Sequence, residues 1–359
     1  MGDLTLTKKY FKVVLNTVFL FAVFGVTAYL VLKDQEISAI FDSIHRANNN
    51  YIAFGIALTL LFICSESMII CYLMHTIKHS VSLIRCIMYS FVGFFFSAVT
   101  PSATGGQPMQ ILWMKRDDIN VASSTIVLMI VTATYKTVLL LMSVIATIIV
   151  WKDISSYSSS IWVLLLIGIL CNASFVLFLV MAVFRQAWLT NMIGKTIFWL
   201  GKYRIIRNRE KWLRKLWKTL NNYNKSAEYL KVNKPVLFHV FLITMFQRLS
   251  LFAVTYVVYR AFGLQGASAI EIIALQTIIA LAVDSLPLPG AMGASESSFL
   301  LIFLGIFGEE FVLPGMLLSR GITYYFMILI SAVITLVSHI VGRRKKIKRV
   351  VDYKNDRIL

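Results

Sequence analysis

Two stretches of the 359-residue sequence decide the fold: TPSATGGQP at residues 100–108 and PLPGAMGASE at residues 287–296. Both combine prolines with glycines, which interrupt helices. Apolar runs at 83–99 and 268–286 precede the two stretches, and a third run at 295–307 follows the second. Proline and glycine between apolar, helix-forming runs predict two broken helical hairpins.

The composition places these hairpins in a membrane protein. The chain is 58% hydrophobic and 14% charged, whereas a soluble domain is about half apolar and about a quarter charged. Apolar runs of about 20 residues are typical of membrane spans. The sequence therefore predicts an all-α polytopic membrane protein. The further long apolar stretches lie at 13–32, 51–75, 121–150, 161–184, 236–262 and 312–341.

The net charge of +18 is distributed unevenly along the chain. Segment 185–235 holds thirteen Lys and Arg residues against two Glu residues, and the tail 342–359 holds eight more basic residues. Segments 33–50, 151–160 and 308–313 are neutral or acidic. Basic residues concentrate in cytoplasmic loops, so we expect both termini and segment 185–235 in the cytoplasm. This placement favours contact with anionic lipid over direct binding of nucleic acid.

The topology follows from counting crossings between cytoplasmic segments. An odd number of apolar stretches separates the basic region near Arg85 from Arg185, so one stretch cannot cross completely. The simplest solution has six full spans and two re-entrant hairpins, at 83–115 from the cytoplasm and at 268–307 from outside. We expect one membrane domain, 1–359, with these hairpins in opposite orientations.

The two halves, 51–150 and 236–341, resemble an inverted repeat. The spacing from Pro101 to Gly105 equals that from Pro289 to Gly293. Farther along, Thr134-Tyr135-Lys136 and Thr323-Tyr324-Tyr325 follow the two prolines at nearly equal distances. We therefore take Tyr135 and Tyr324 as candidate headgroup contacts. Inverted repeats with broken helices meeting near the midplane recur in transporters.

Segment 195–230 carries Leu213, Leu216, Trp217 and Leu220 on one predicted helical face among many basic residues. This pattern is typical of an interfacial helix on the inner leaflet. A solvated basic loop with a short helix is the alternative.

The broken hairpins are the first candidate site. Interrupted helices expose unpaired N–H groups, so their turns can hold a phosphate or carboxylate, and neighbouring hydroxyl groups can add hydrogen bonds. The alternative is an architectural hairpin whose polar groups satisfy one another. The candidate substrate-pathway residues here are Thr100, Pro101, Ser102, Thr104, Gly105, Gly106, Gln107, Pro108, Ser285, Pro287, Pro289, Gly290, Gly293, Ser295 and Ser297.

Ionisable residues inside apolar runs form the second candidate set. Each costs about 2.5–3.5 kcal/mol at a helix centre on insertion scales, so we expect them to face the interior and to pair. Lys136, Arg248 and Arg320 suit an anionic headgroup, whereas Asp284 and Glu296 suit a cation or a proton. Structural ion pairs between the halves are the alternative. The set is Glu66, Lys136, Arg248, Asp284, Glu296 and Arg320, and Glu271, nearer the outer interface, ranks below it.

Motifs for catalysis are missing from the sequence. It contains no GxxxxGK[S/T] phosphate loop and no HExxH motif, and GASES at 293–297 lacks the last glycine of a GxSxG elbow. No nucleophile–base pair is evident. We expect no catalytic residue, no metal and no cofactor.

The strings FSAVTPSATGGQPMQ at 96–110 and DSLPLPGAMGASESSF at 284–299 resemble those of the lysylphosphatidylglycerol synthase/flippase transmembrane family. This is the membrane half of the multiple peptide resistance factor. The resemblance covers nearly the whole chain in order and span count. It implies a bacterial inner-membrane flippase that moves lysylphosphatidylglycerol to the outer leaflet, which masks negative surface charge and blunts cationic antimicrobial peptides.

The sequence departs from bifunctional members of that family. Those members carry a soluble C-terminal domain that transfers lysine from charged tRNA, whereas only a short basic tail follows residue 341 here. We therefore expect the lysyltransferase activity to belong to a separate synthase. The expected function is flippase or scramblase activity on an anionic or aminoacylated phospholipid. A lysyltransferase or its membrane subunit, and a transporter of polyprenyl phosphate or a small solute, remain alternatives.

Overall fold

The computed structural model describes residues 37–151, 159–185 and 233–355, with a few isolated positions between 191 and 228. The predicted first span at 13–32 and the predicted interfacial helix around 213–220 lie outside the described residues.

The helices with described bounds are labelled here in chain order. They are α1 (Ile37–Arg46), α2 (Asn49–Thr76), α3 (Leu83–Ala98), α4 (Gly106–Arg116), α5 (Val121–Ile149), α6 (Ser159–Phe184), α7 (Lys234–Ala261), α8 (Ala269–Val283), α9 (Ala294–Arg320) and α10 (Phe326–Asn355). A 3-10 turn at Pro101–Ala103, the first turn, lies between α3 and α4. Another at Pro289–Ala291, the second turn, lies between α8 and α9. A π-helical turn, Gly321–Tyr325, joins α9 to α10.

Five of the described helical segments are long and apolar enough to cross a membrane. Four are α2, α5, α7 and the 165–182 part of α6, and the fifth extends over Pro289–Ile340. The last is far longer than one span needs, and Gly308, with φ of +72°, breaks it. The chain is therefore an all-α, multi-pass membrane protein, which confirms the fold class predicted from composition.

Helices α3 and α8 are the short apolar elements, with 16 and 15 residues. At 1.5 Å per residue each is roughly 22–24 Å long, which is less than the roughly 30 Å hydrocarbon core of a bilayer. Each is followed by a proline-containing turn and another helix. The two Pro/Gly stretches thus interrupt helices, as predicted from their proline and glycine residues.

The first and second turns have almost the same unusual backbone. Ser102 and Gly290 have φ of +50° and +58°, and the alanines that follow them, Ala103 and Ala291, both have φ of +53°. Two successive residues in the left-handed region are rare, especially without glycine. The repetition of this conformation 188 positions apart, by the numbering of the two alanines, supports the internal repeat.

Packing between the halves is reciprocal. Helices α2 and α7, each 28 residues long, pack against each other. Helix α3 of the first half packs on α10 of the second, while α8 of the second half packs on α5 of the first. The first helix of each broken hairpin, α3 or α8, is therefore covered by the last span of the other half, α10 or α5.

Polar caps fix several helix starts. The side chains of Asn48 and Asn120 cap α2 and α5. At α8, the Ser268 hydroxyl accepts a hydrogen bond from the Glu271 N–H at 3.1 Å, and the Glu271 carboxylate accepts one from the Ser268 N–H at 3.3 Å. This reciprocal arrangement is a capping box. The Glu271 side chain therefore serves as a cap at the start of α8.

Candidate functional site

The first and second turns pack directly against each other, and a cavity of about 330 Å³ lies beside them. Residues from both turns and from both halves line this cavity. The predicted site residues among its lining are Ser102, Tyr135, Arg248, Asp284, Gly290, Ser295, Arg320 and Tyr324. The two hairpins therefore come together at one polar space between the halves.

Asp284 caps the C-terminal end of α8 and joins the two halves. Its carboxylate forms an ion pair with the Lys136 ammonium of α5 and accepts a hydrogen bond from the Tyr135 hydroxyl. The side chains of the ion pair are only 14% and 15% exposed. Both α5 residues come from the Thr-Tyr-Lys string that the sequence singled out, so this string contacts the hairpin of the opposite half.

Glu296 and Arg320 form a second ion pair, within the second half. The Arg320 Nε donates to the Glu296 carboxylate at 2.8 Å, and the Arg320 Nη2 donates to the Gly290 carbonyl at 2.9 Å. The other Glu296 oxygen accepts the Gly293 N–H at 2.7 Å. Because Glu296 is almost fully buried, this pair ties the second turn to the start and the end of α9.

Tyr135 and Tyr324 play reciprocal roles in the two halves. Tyr135 donates from the first half to Asp284 at the end of α8. Tyr324 donates from the second half to the Ala98 carbonyl at the end of α3, at 3.1 Å. The Tyr324 ring also lies close against Gly290, where a Cβ would collide with it. Each tyrosine thus holds the C-terminal end of the first hairpin helix of the other half by a hydrogen bond.

Tyr324→Phe is expected to lower the free energy of unfolding by about 1 kcal/mol, because it leaves the Ala98 carbonyl without its donor. Chemical unfolding in mixed micelles measures this loss. Tyr256→Phe is the matched control, since the Tyr256 hydroxyl makes no hydrogen bond to a described residue. Equal stability of the two variants would contradict a fastening role for Tyr324.

The hydroxyl groups of the first turn mostly satisfy the turn itself. The Thr100 hydroxyl donates to the Phe96 carbonyl at 2.6 Å and accepts the Gly105 N–H at 2.9 Å. The Thr104 hydroxyl donates to the Pro101 carbonyl at 2.9 Å. For these two threonines, the architectural interpretation describes the contacts better than substrate binding does.

The start of α4 is bonded away from the cavity. Gln107 donates to the Thr132 hydroxyl on α5, and Gly106 lies so close to Ser97 that a Cβ would collide with it. Gln110 donates to the Glu66 carboxylate of α2 at 3.1 Å. These contacts hold α4 in place. Pro101 and Pro108 are exposed and Glu66 is half-buried, and none of the three lines the cavity.

Around the second turn, some predicted residues line the cavity and others bond to the protein or are exposed. The Ser285 hydroxyl accepts a hydrogen bond at 3.1 Å from Asn172, a buried α6 residue that the sequence did not single out. Ser295 lines the cavity, whereas Ser297 and Pro287 are exposed and do not.

Sequence reasoning missed a polar group formed by Thr255, Gln276 and Ser319 in the wall of the cavity. The Thr255 hydroxyl lies 3.2 Å from the Gln276 carbonyl oxygen, to which it donates, and 3.3 Å from the Ser319 hydroxyl. The signal was present as single uncharged polar residues inside apolar runs. Among the described residues, no group of His, Cys, Asp and Glu side chains could hold a metal ion.

This architecture defines a multi-pass α-helical membrane protein in which two broken helices meet beside a charged cavity. The chain matches the family model for the lysylphosphatidylglycerol synthase TM region over residues 14–331. It belongs to this family, which confirms the resemblance carried by the two Pro/Gly strings and makes the protein a membrane component of a lipid pathway. A comparison with functionally curated proteins gave no significant match.

Proposed function

We propose that this protein moves a phospholipid between the two leaflets of the bacterial cell membrane. The observation that carries the proposal is the meeting of the two turns beside a cavity that is lined by one member of each of two ion pairs, Asp284 and Arg320. Non-helical backbone at membrane depth is tolerated only where protein buries it or where it lines a wet cavity. Two re-entrant hairpins around a polar passage meet this condition.

The mechanism divides the lipid into two parts. A charged headgroup cannot cross the hydrocarbon core without polar partners, because an unpaired ion there is very costly. A cavity of about 330 Å³ is too small for two acyl chains, so the headgroup enters it while the chains stay in the bilayer. Because the two halves pack reciprocally, the cavity between the hairpins could open first to one side of the membrane and then to the other.

Lysylphosphatidylglycerol is the substrate that family membership favours, and a separate synthase would supply it. Its net charge is about +1, so outward movement against an inside-negative potential costs about 2.3 kcal/mol per 100 mV. Net export therefore requires coupling to an energy source, and protons are our candidate through Asp284 or Glu296. Export would reduce the negative charge of the cell surface and weaken binding of cationic antimicrobial peptides. With cytoplasmic termini, the basic tail would face the anionic inner leaflet.

Reconstitution into liposomes tests the proposal. Fluorescent phosphatidylglycerol and lysylphosphatidylglycerol are placed in one leaflet, and their appearance in the other is followed by accessibility to a membrane-impermeant quencher. We expect exchange at least tenfold faster than in protein-free vesicles. Exchange no faster than in those vesicles would contradict the proposal, whereas movement of a polyprenyl phosphate alone would favour the alternative transporter.

A pH gradient across the same vesicles tests the coupling. If protons drive export, reversing the gradient is expected to reverse the direction of net lysylphosphatidylglycerol movement. The uncoupler-treated vesicles serve as the control and should only equilibrate the leaflets. Net rates that do not depend on the pH gradient would exclude proton coupling but would still be consistent with passive exchange between the leaflets.

A further inference from the structure

Arg248, in the middle of α7, makes no hydrogen bond to a described residue. Its guanidinium carbon lies 3.7 Å from the ring centroid of Tyr135 and 4.9 Å from that of Phe62. Its Nε is fully buried and has no hydrogen-bond partner, and the residue lines the cavity between the halves. The two aromatic faces fix the plane of the cation, and its Nε donor has no partner among the described residues.

The other charges at the cavity are already paired within the described part of the chain. Lys136 pairs with Asp284, and Arg320 pairs with Glu296. Glu66 is a further acid inside the spans, but it takes its hydrogen bond from Gln110 and forms no ion pair with Arg248. As far as the chain is described, Arg248 is therefore the cavity-lining cation without an ion pair.

A charge left without a partner inside a membrane protein is destabilising. A residue of this kind is retained where it serves function at some expense of stability. Asp284 and Glu66 attract Arg248 from a distance, but among the described residues no carboxylate forms an ion pair with it, so the partner that would complete the site is an anion. Lys136 and Arg320 already have carboxylate partners. Of the three cations predicted to bind an anionic headgroup, Arg248 is therefore the remaining candidate.

The Gln276 amide is a further donor in the wall of the same cavity. The Gln276 carbonyl oxygen accepts from Thr255, so its amide nitrogen points elsewhere, and it makes no hydrogen bond to a described residue. A planar guanidinium and an amide donor in the wall of one cavity suit the oxygens of a phosphate group.

We propose that Arg248 binds the phosphodiester of the transported lipid and that this contact, rather than recognition of the lysyl group, selects the substrate. The inference rests on the proposed function and narrows it. The phosphate oxyanion is the shared chemistry of free phosphate and phospholipids, and the apolar part of the cavity wall, including Phe252 and Phe299, favours a lipid. No unpaired carboxylate lines the cavity in the described chain to select a lysyl amine.

Thermal unfolding of the purified full chain in detergent tests this contact with four probes. The probes are dihexanoylphosphatidylglycerol, the same lipid with a lysyl group, uncharged dihexanoylglycerol, and inorganic phosphate. Both phospholipids are expected to raise the Tm of the wild type to similar extents, and the last two probes are expected to leave it unchanged. A ligand that binds only the folded state raises the Tm in this way.

Arg248→Gln is expected to weaken phospholipid binding at least tenfold, and Arg248→Lys to weaken it less, because an ammonium retains the charge but loses the fork geometry. The matched control is Arg260→Gln, an arginine in the last turn of the same helix that does not line the cavity.

Two outcomes would overturn the inference: an undiminished phospholipid shift in Arg248→Gln, or an equal shift with inorganic phosphate. Exchange in liposomes separates this inference from the proposed function. If the wild type binds phospholipid through Arg248 but moves none, the proposed function fails and the binding site stands. If Arg248→Gln moves lipid at the wild-type rate, the inference fails and lipid movement stands.

Discussion

Asp284→Asn is expected to stop lipid movement and to lower the free energy of unfolding by about 3 kcal/mol, because removing one partner of a buried ion pair leaves the other uncompensated. The Lys136 ammonium would then lie beside the cavity without a carboxylate. The Tyr135 hydroxyl would also lose its charged acceptor. Both contacts join α5 to the end of α8, so their loss loosens the first half from the second hairpin.

Chemical unfolding in mixed micelles and lipid exchange in liposomes measure the two effects separately. Glu309→Gln is the matched control, since Glu309 is an exposed acid at the break beside Gly308. Its unfolding free energy should change by less than about 0.5 kcal/mol. A loss of that small size in Asp284→Asn would contradict a stabilising role for the ion pair.

A second variant separates the charge from the contact. Lys136→Met combined with Asp284→Asn should recover at least half of the lost stability, because no charge is left unpaired. Residues in contact couple by about 0.5–3 kcal/mol in such double-mutant cycles. Lipid exchange should remain slow in the double variant if the pair also serves passage. Recovery of exchange together with stability would assign the pair a purely structural role.

The breaks in the helices could be predicted because proline and glycine act locally. Pro101 and Pro289 each begin a 3-10 turn in the structure, and a proline cannot be accommodated in a continuous helix without loss of a hydrogen bond. The spans were predictable for the same kind of reason, since apolar length depends on neighbours in sequence. The left-handed backbone of Ser102 was not predictable, because nothing in its side chain favours it.

The partners of the charged residues could not be predicted from the sequence. Lys136 and Asp284 are 148 positions apart, and only the packing of α8 on α5 brings them together. The sequence offered three acids and three bases, which suggested complete pairing. Arg248 instead lies between two aromatic rings, a position that depends on how three helices meet.

Uncharged polar residues gave weaker signals than charged ones. Gln276 and Asn172 each interrupt an apolar helix, but an amide costs less to bury than an ion, so its presence points less strongly to an interior site. In contrast, Thr100 and Thr104 looked like ligands because they lie in a break. Hydroxyl groups in turns commonly bond the local backbone, which is what both do here.

Gly290→Ala is expected to lower the free energy of unfolding by about 2–5 kcal/mol and to slow lipid exchange at least tenfold. Gly290 has φ of +58°, a conformation that costs a residue with a Cβ about 1–2 kcal/mol. The added methyl group would also collide with the Tyr324 ring, and overpacking adds about 1–3 kcal/mol. Moving the ring away breaks its hydrogen bond to the Ala98 carbonyl and separates the second turn from the first hairpin.

Gly305→Ala is the matched control for this substitution. Gly305 lies inside α9, and a Cβ there meets no atom within 4 Å, so alanine should stabilise the helix by up to about 1 kcal/mol. Combining Gly290→Ala with Tyr324→Ala removes the collision and leaves the backbone strain. This double variant should therefore lose less stability than the sum of its single variants. Additive losses, or wild-type exchange in Gly290→Ala, would show that the close contact of Tyr324 with the second turn does not hold the two hairpins together.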